Sequence, residues 1–328
     1  MQETLSINNP TVSIIVPCYN SSKKMSSCLN SLIEQTYKNI EVIFVDDCSD
    51  ADTKNTLADF ATNSGVKTVI IENASNLGPS LSRQKGVKES NGTFLTFIDS
   101  DDYVDKTFIA EMLQSILLNK SDISFCDYYF VSKSTKLYKK RRFDSLLLTK
   151  TSDKITVGVD SLWGILFNKK LFQNIEFPDI RNGEDMAVVP QLFLKANTIS
   201  HVDRCLYFYI YYPNSLSNDV DFEAIAYLKE SLLCLEKTLR KSYPKEVEFL
   251  AVRNYLYSSI LILAKNKSTK SKLCSFSNDF QAKYPCWNKN SYIKSLPNHK
   301  RLVLFLFKHH LFFCLKVICF LRGLFLTN

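Results

Sequence analysis

The chain has 328 residues, 45% apolar and 23% charged, the make-up of a globular protein with room for one large domain plus an appendage, or for two domains. Its net charge of +8 sits at the end: no acidic residue follows Asp279, whereas Lys283, Lys289, Lys294, Lys300, Arg301, Lys308, Lys316 and Arg322 do, and removing these eight from 41 basic residues leaves 33 against 33 acidic ones. A neutral body argues against a nucleic-acid partner, and ten cysteines without a Cys-x-x-Cys pair suggest neither a zinc site nor a thioredoxin-like motif, but buried reduced thiols in a cytosolic protein.

The first apolar run, Val12 to Val16, is short and stops at Pro17, so it reads as a buried strand and not as a signal peptide. Residues 23 to 35 carry Met25, Cys28, Leu29, Leu32 and Ile33 at helical spacing. Strands over Glu41 to Val45, Val66 to Ile71 and Phe94 to Ile98 alternate with helices over 52 to 62 and Pro79 to Glu89, the second with proline in its first turn. Apolar strands separated by helices predict an α/β fold with a parallel sheet covered on both faces. A helix over 105 to 118 and a strand near Ile123 to Cys126 follow. The polar, basic stretch 132 to 155, with Lys139-Lys140-Arg141-Arg142, reads as a mobile connection, with contact to phosphate or anionic lipid as the alternative, and a helical run covers Met186 to Leu194. Helices over about 221 to 241 and 246 to 265 open a helical appendage from about 218. The expected domains are 1–217, 218–285 and 286–328.

Ligands of open α/β sheets bind outside the carboxyl ends of the strands. Three polar clusters lie there: Pro17-Cys18-Tyr19-Asn20, Asp46-Asp47-Cys48-Ser49-Asp50 and Asp99-Ser100-Asp101-Asp102. No Gly-x-Gly-x-x-Gly, Walker-type loop or Gly-x-Ser-x-Gly elbow accompanies them, and none of the four histidines lies at those ends, so a base there is a carboxylate. Asp99 and Asp101 are hard oxygen ligands suited to Mg²⁺ or Mn²⁺, ions that typically share one or two carboxylates with substrate phosphates. The same pattern also suits an acidic turn capping the next helix, a role assigned here to Asp102. Gly183-Glu184-Asp185 opens a helix. A carboxylate there takes a proton from an attacking hydroxyl or simply favours the helix dipole.

Together these residues resemble glycosyltransferase family 2, of the GT-A fold, especially bacterial polysaccharide enzymes. Val12 to Asn20 is similar to the family's opening strand. Ser31-Leu32 with Gln35 to Ser49 is similar to its second block, and Asn76-Leu77-Gly78-Pro79, Arg83, Gly92 and Phe97 to Asp102 to its third. The resemblance is near-continuous from 11 to 105 and patchier from 158 to 217. It implies a Rossmann-like, mostly parallel GT-A sheet and an inverting, metal-dependent hexosyl- or N-acetylhexosaminyl-transfer. The donor is a nucleotide diphosphate sugar, UDP-sugar first, and the acceptor a saccharide or lipid-linked oligosaccharide. Carried over, Pro17, Tyr19, Asn20, Asp46 and Asp47 contact the nucleoside, Asp47 the base. Arg83, Asp99 and Ser100 complete the nucleotide-sugar site, with Asp99 toward ribose and diphosphate. Asp101 ligates Mn²⁺ or Mg²⁺, Asp185 is the general base, and Trp163 and Glu184 are candidates for the acceptor or donor-phosphate side.

Two positions depart from the family. Ile165 stands where a lysine is common, and Ile210 and Tyr212 stand near where an arginine is common. Lys169 or Lys170 are the substitutes for those cations. A nucleotidyltransferase and a catalytically silent membrane scaffold are the alternatives.

Residues 301 to 326 are almost wholly Leu, Phe, Val, Ile and Cys apart from Arg301, Lys308, Lys316 and Arg322. On one continuous helix, at about 100° per residue, these cations fall within an arc of about 120°. That predicts a helix lying in the interface of an anionic membrane, peripheral on its cytoplasmic face, and the alternative is a C-terminal helix packed on protein.

Overall fold

The computed structural model describes residues 9–132, 135–139, 150–156, 159–212, 222–266 and 268–318. They form two compact units. One spans Met1–Leu147, Gly158–Arg181 and Gln191–Pro213, and the other Leu148–Val157, Asn182–Pro190 and Asn214–Asn328. Segments 148–157 and 182–190 thus fall with the second unit, whereas the sequence reading kept them in the first domain.

The first unit is built on β1 (Val12–Cys18), α1 (Ser26–Ile33), β2 (Ile40–Asp46), α2 (Ala51–Asn63), β3 (Lys67–Glu72), α3 (Gly78–Glu89) and β4 (Phe94–Phe97). β1 lies between β2 and β4, and β2 pairs with β3, all parallel, as the buried apolar runs and intervening helices demand. Val12, Ile14, Val16, Val42, Phe44 and Leu57 are fully buried in its core. Helix α3 packs closely on β1 because Gly86 lies over Ile15: a Cβ there would come within 2.4 Å of Ile15 Cγ2.

The second half of the sheet is mixed. β5 (Tyr103–Val104), α4 (Phe108–Asn119), β6 (Ile123–Val131), β7 (Lys136–Lys139), β8 (Ile165–Asn168), α5 (Glu184–Lys195) and β9 (Ile199–Ile210) follow in the chain. The strand order is β3-β2-β1-β4-β8-β6-β9-β5, with β7 on β6. β8 runs antiparallel between β4 and β6, β5 antiparallel to β9, and β9 parallel to β6 with a bulge at Cys126/Asp127. The basic stretch expected as a connection carries β7 and a 3₁₀ turn, Thr151–Thr156. Strand pairing with β6 gives its backbone groups partners that a loop would lack. Lys140, Arg141 and Arg142 lie outside the described residues.

The second unit holds α6 (Phe222–Leu239), α7 (Pro244–Leu250), a π-helical turn Ala251–Leu256, α8 (Tyr257–Lys265), α9 (Lys270–Lys283) and α10 (Asn298–Lys308). Pro244–Lys265 is long and apolar enough to cross a membrane, but 72% of its apolar 18-residue window is buried within the fold, as in the core helix of a globular domain. The tail is not one helix. α10 ends at Lys308, His310 takes φ +55°, and a second helix runs over 312–318. The arc of cations expected along a continuous helix therefore does not form. Lys316 turns inward and donates to the Ser268 carbonyl at 2.6 Å, and Val303, Leu304, Leu306, Phe307, Phe312 and Leu315 are buried. Arg322 and the rest of 319–328 lie outside the described residues. Among the described cysteines Cys18, Cys28 and Cys126 are buried, whereas Cys48, Cys286 and Cys314 are exposed, so uniform burial of the thiols does not hold.

Candidate active site

The carboxyl ends of β1, β2 and β4 are adjacent because these strands pair in parallel register, Val12 with Ile40 on one side and Phe94 on the other. That brings the three polar clusters to one edge of the sheet, as the sequence suggests.

Two loops at this edge are tied together by Asn20. Its N–H donates to Ser49 Oγ at 3.1 Å, and its Oδ1 accepts from the Asp50 N–H at 2.8 Å. Asn20 (φ +46°) and Cys48 (φ +62°) both hold a left-handed backbone, the sparsely populated conformation that concentrates at functional sites. Tyr19 beside them is 53% exposed, which leaves its ring open for stacking, and Pro17 is half-buried.

Asp46 and Asp47 are both buried but employed differently. Asp47 Oδ1 accepts from Asn73 Nδ2 and the Leu77 N–H, and Oδ2 from the Gly78 N–H, each at 2.8 Å. Asp47 therefore fastens the start of α3, where Gly78 supplies φ +84°. Asp46 Oδ2 accepts from the Ser49 N–H at 3.4 Å and lies 4.0 Å from Lys54 Nζ, while its Oδ1 has no hydrogen-bond partner among the described residues. A buried carboxylate oxygen without a donor is costly and suits a ligand N–H or O–H.

At the end of β4 the three aspartates have separate environments. Asp99 Oδ1 accepts from the guanidinium of Arg83, a residue of α3 that is itself buried. Asp102 is 1% exposed and does not cap a helix, contrary to the sequence reading. Its Oδ2 accepts from the Tyr207 hydroxyl at 2.8 Å and its Oδ1 from the Ile210 N–H at 2.7 Å, so it anchors β9 under the loop. Burial, and then Asp99 and Asp101, hold its carboxyl well above the usual range. Asp101 and Ser100 remain half-buried. Burial and the neighbouring Asp99 push the Asp101 carboxyl up to about 6, against Lys24 and Arg83, which pull it down. A divalent cation at Asp101 would relieve that crowding. No three His, Cys, Asp or Glu side chains converge among the described residues. An ion held here would therefore take one or two carboxylates and fill its shell with water and phosphate oxygens.

Lys24, missed in the sequence, lies 4.4 Å over the ring of Tyr212 and acts on Asp101. Only its place in the loop after Asn20 could have flagged it. Lys169 and Lys170 do not fill that role: Lys169 donates to the Ser90 carbonyl and Lys170 pairs with Asp122 at 2.9 Å. Both follow Asn168, which pairs with Phe94 at the opposite end of β4 from Asp99. Trp163 is stacked on Tyr207 and Tyr209, with ring centroids 4.5 and 5.6 Å apart, and meets Tyr128 edge-on. It braces the strand that carries Tyr207.

In the second unit, Glu184 and Asp185 form the first turn of α5. Glu184 is buried and Asp185 half-buried, after Gly183 at φ +90°. The Gly183 carbonyl accepts from Ser231 of α6, which fixes the entry to the helix.

A profile of glycosyl transferase family 2 matches residues 13–176. The chain is 30% identical to the glycosyltransferase EpsJ of Bacillus subtilis over 251 residues, 73% of this chain and 70% of that protein. It is 28% identical over 219 residues to the glycosyltransferase GlyA of Streptococcus pneumoniae, 63% of this chain and 31% of GlyA, so it spans about a third of that relative's length. The fold matches residues 1–349 of Staphylococcus aureus TarS in complex with UDP, with a TM-score of 0.67 at 20% identity, over 95% of this chain and 92% of that one. A complex of the same TarS fragment with UDP-GlcNAc matches with a TM-score of 0.61.

Proposed function

Because the chain belongs to glycosyltransferase family 2, we propose that it moves a hexosyl or N-acetylhexosaminyl group from a nucleoside diphosphate sugar to a saccharide or lipid-linked acceptor of a cell-surface polysaccharide. UDP is the nucleotide of choice, from the UDP and UDP-GlcNAc complexes of TarS. The observation that carries the reading is the half-buried Asp101, its carboxyl pushed up to about 6, beside the Arg83–Asp99 pair at the end of β4. A catalytically silent scaffold has no need to keep such a costly carboxylate.

The residues divide the work as follows. Tyr19 stacks on the nucleobase, and the buried Asp46 Oδ1 accepts a hydrogen bond from the nucleoside, while Asp47 keeps the β3–α3 connection in shape beneath it. Asp99, oriented by Arg83, faces the ribose and diphosphate. Lys24 takes the part of the basic residues missing at Ile165, Ile210 and Tyr212 and binds diphosphate. Asp101 holds Mn²⁺ or Mg²⁺, which when bound offsets the charge that builds on the departing diphosphate. Asp185 removes the proton of the acceptor hydroxyl as that oxygen bonds to the anomeric carbon and the bond from that carbon to the diphosphate breaks, a single displacement with inversion.

A panel of nucleotide sugars, assayed for release of nucleoside diphosphate with and without Mn²⁺, tests the reading. One donor cleaved in a metal-dependent way supports it. Failure with every donor under both conditions counts against an enzyme.

A further inference from the structure

Between Lys265 and Ile318 the sequence has eleven basic residues and one acidic residue, Asp279. The fold of the second unit gathers part of that charge beside exposed apolar side chains. Lys316 Nζ reaches the Ser268 carbonyl at 2.6 Å, and Cys274 Sγ lies 3.7 Å from His310 Nδ1. These contacts bring the start of α9 against the turn at His309–His310 and the helix over 312–318. Lys270 and Lys272 are exposed on α9, and the Lys272 ammonium lies 3.3 Å over the half-exposed ring of Phe222. On the tail, Phe305 is 55% exposed and Phe313 82%, with Leu311 and Val317 above 40%. Phe305 on α10, and Phe313 and Val317 on the second helix, lie away from the buried Val303, Leu304, Leu306 and Phe307 and from the buried Phe312 and Leu315 respectively, and Leu311 sits in the turn between the helices.

From this we infer that α10, the turn at His309–His310 and the helix over 312–318, with the amino end of α9, form a docking surface for an anionic lipid bilayer. Large exposed apolar side chains are expensive in water. A protein groove covers such side chains through fixed shape and paired polar groups, whereas the lysines of the neighbouring α9 turn, Lys270 and Lys272, have no carboxylate partner among the described residues, which suits phosphate headgroups over acyl chains. Leu311 and Phe313 enter the acyl boundary and Lys270 and Lys272 meet the headgroups. Lys316, which the sequence pattern placed among the lipid-facing cations, is spent on Ser268 instead. This surface lies outside the residues given chemical roles above, so its failure leaves the proposed chemistry untouched.

Sedimentation of the full chain with phosphatidylglycerol vesicles and with phosphatidylcholine vesicles tests the inference. The protein is expected to pellet with the former and much less with the latter, and to be released as salt is raised. The exposed-residue pairs Leu311→Ser/Phe313→Ser and Lys270→Glu/Lys272→Glu are expected to lower vesicle affinity about tenfold or more, with the melting temperature and donor cleavage unchanged. Wild-type protein that stays in solution with phosphatidylglycerol overturns the inference, as does equal binding of both variants. A dimer that is lost in the Leu311→Ser/Phe313→Ser chain, without vesicle binding, overturns it in favour of a second copy of the chain.

Discussion

The Tyr207 hydroxyl donates to Asp102 Oδ2 at 2.8 Å and accepts from the Asp99 N–H at 3.2 Å. One side chain of β9 thus fixes both ends of the aspartate loop from 105 residues away in the sequence. Tyr207→Phe leaves the ring stack with Trp163 and removes both bonds. We expect a loss of about 1–3 kcal/mol, seen as a lower melting temperature, together with weaker donor binding. Unchanged melting would show that the loop holds itself.

Lys24 is the cation that bears on Asp101 from the β1–α1 loop. Lys24→Ala is expected to raise KM for the donor about tenfold with a smaller change in kcat, and Lys24→Arg to restore most of it. Equal kinetics for the alanine variant would remove Lys24 from the diphosphate site.

Asp185→Asn keeps the helix start and loses the base. Donor binding, measured by calorimetry, should persist, while transfer to acceptor falls about 10²–10⁴-fold. Transfer at the wild-type rate would assign the proton to another group.

Glu41 is a buried carboxylate of β2. Burial raises its carboxyl, but the Asn91 N–H, the Lys67 ammonium and the Ser13 hydroxyl overcome this and hold it at about 2, below its usual 4.5. The folded value is the lower one, so the stability it contributes is complete above pH 4.5 and is lost as pH falls toward 2. Glu41→Gln should cost about 1.5–3 kcal/mol at neutral pH and flatten the acid limb of a stability curve over that range. An acid limb of unchanged slope would contradict this.

The parallel half of the sheet is legible in the sequence because each strand is a run of apolar residues between helix-spaced segments, Val12 to Val16 and Glu41 to Val45 being the clearest. Convergence of Asp46, Asp47, Asp99 and Asp101 at one edge follows from that order. The mixed half is legible only in part: the helix over 105 to 118 and the strand near Ile123 to Cys126 are, as α4 and β6, but the pairings are not. β5 is two residues long and pairs with β9 about a hundred residues later, and no local pattern encodes that register. Asp101 and Asp102 look alike in sequence, and Tyr207 and Ile210 alone separate a buried anchor from a candidate ligand. The break at His309–His310 carries no proline or glycine, so periodicity runs straight through it.

Asp101 is the residue proposed to make nucleotide-sugar cleavage metal-dependent. The direct measurement is Mn²⁺-stimulated release of nucleoside diphosphate from the preferred donor, in the wild-type chain and in Asp101→Asn, with circular dichroism to verify the fold. In Asp101→Asn we expect an intact fold, a fall of about 10²–10³-fold and little remaining response to Mn²⁺. Wild-type rates with the same Mn²⁺ dependence in Asp101→Asn would contradict it.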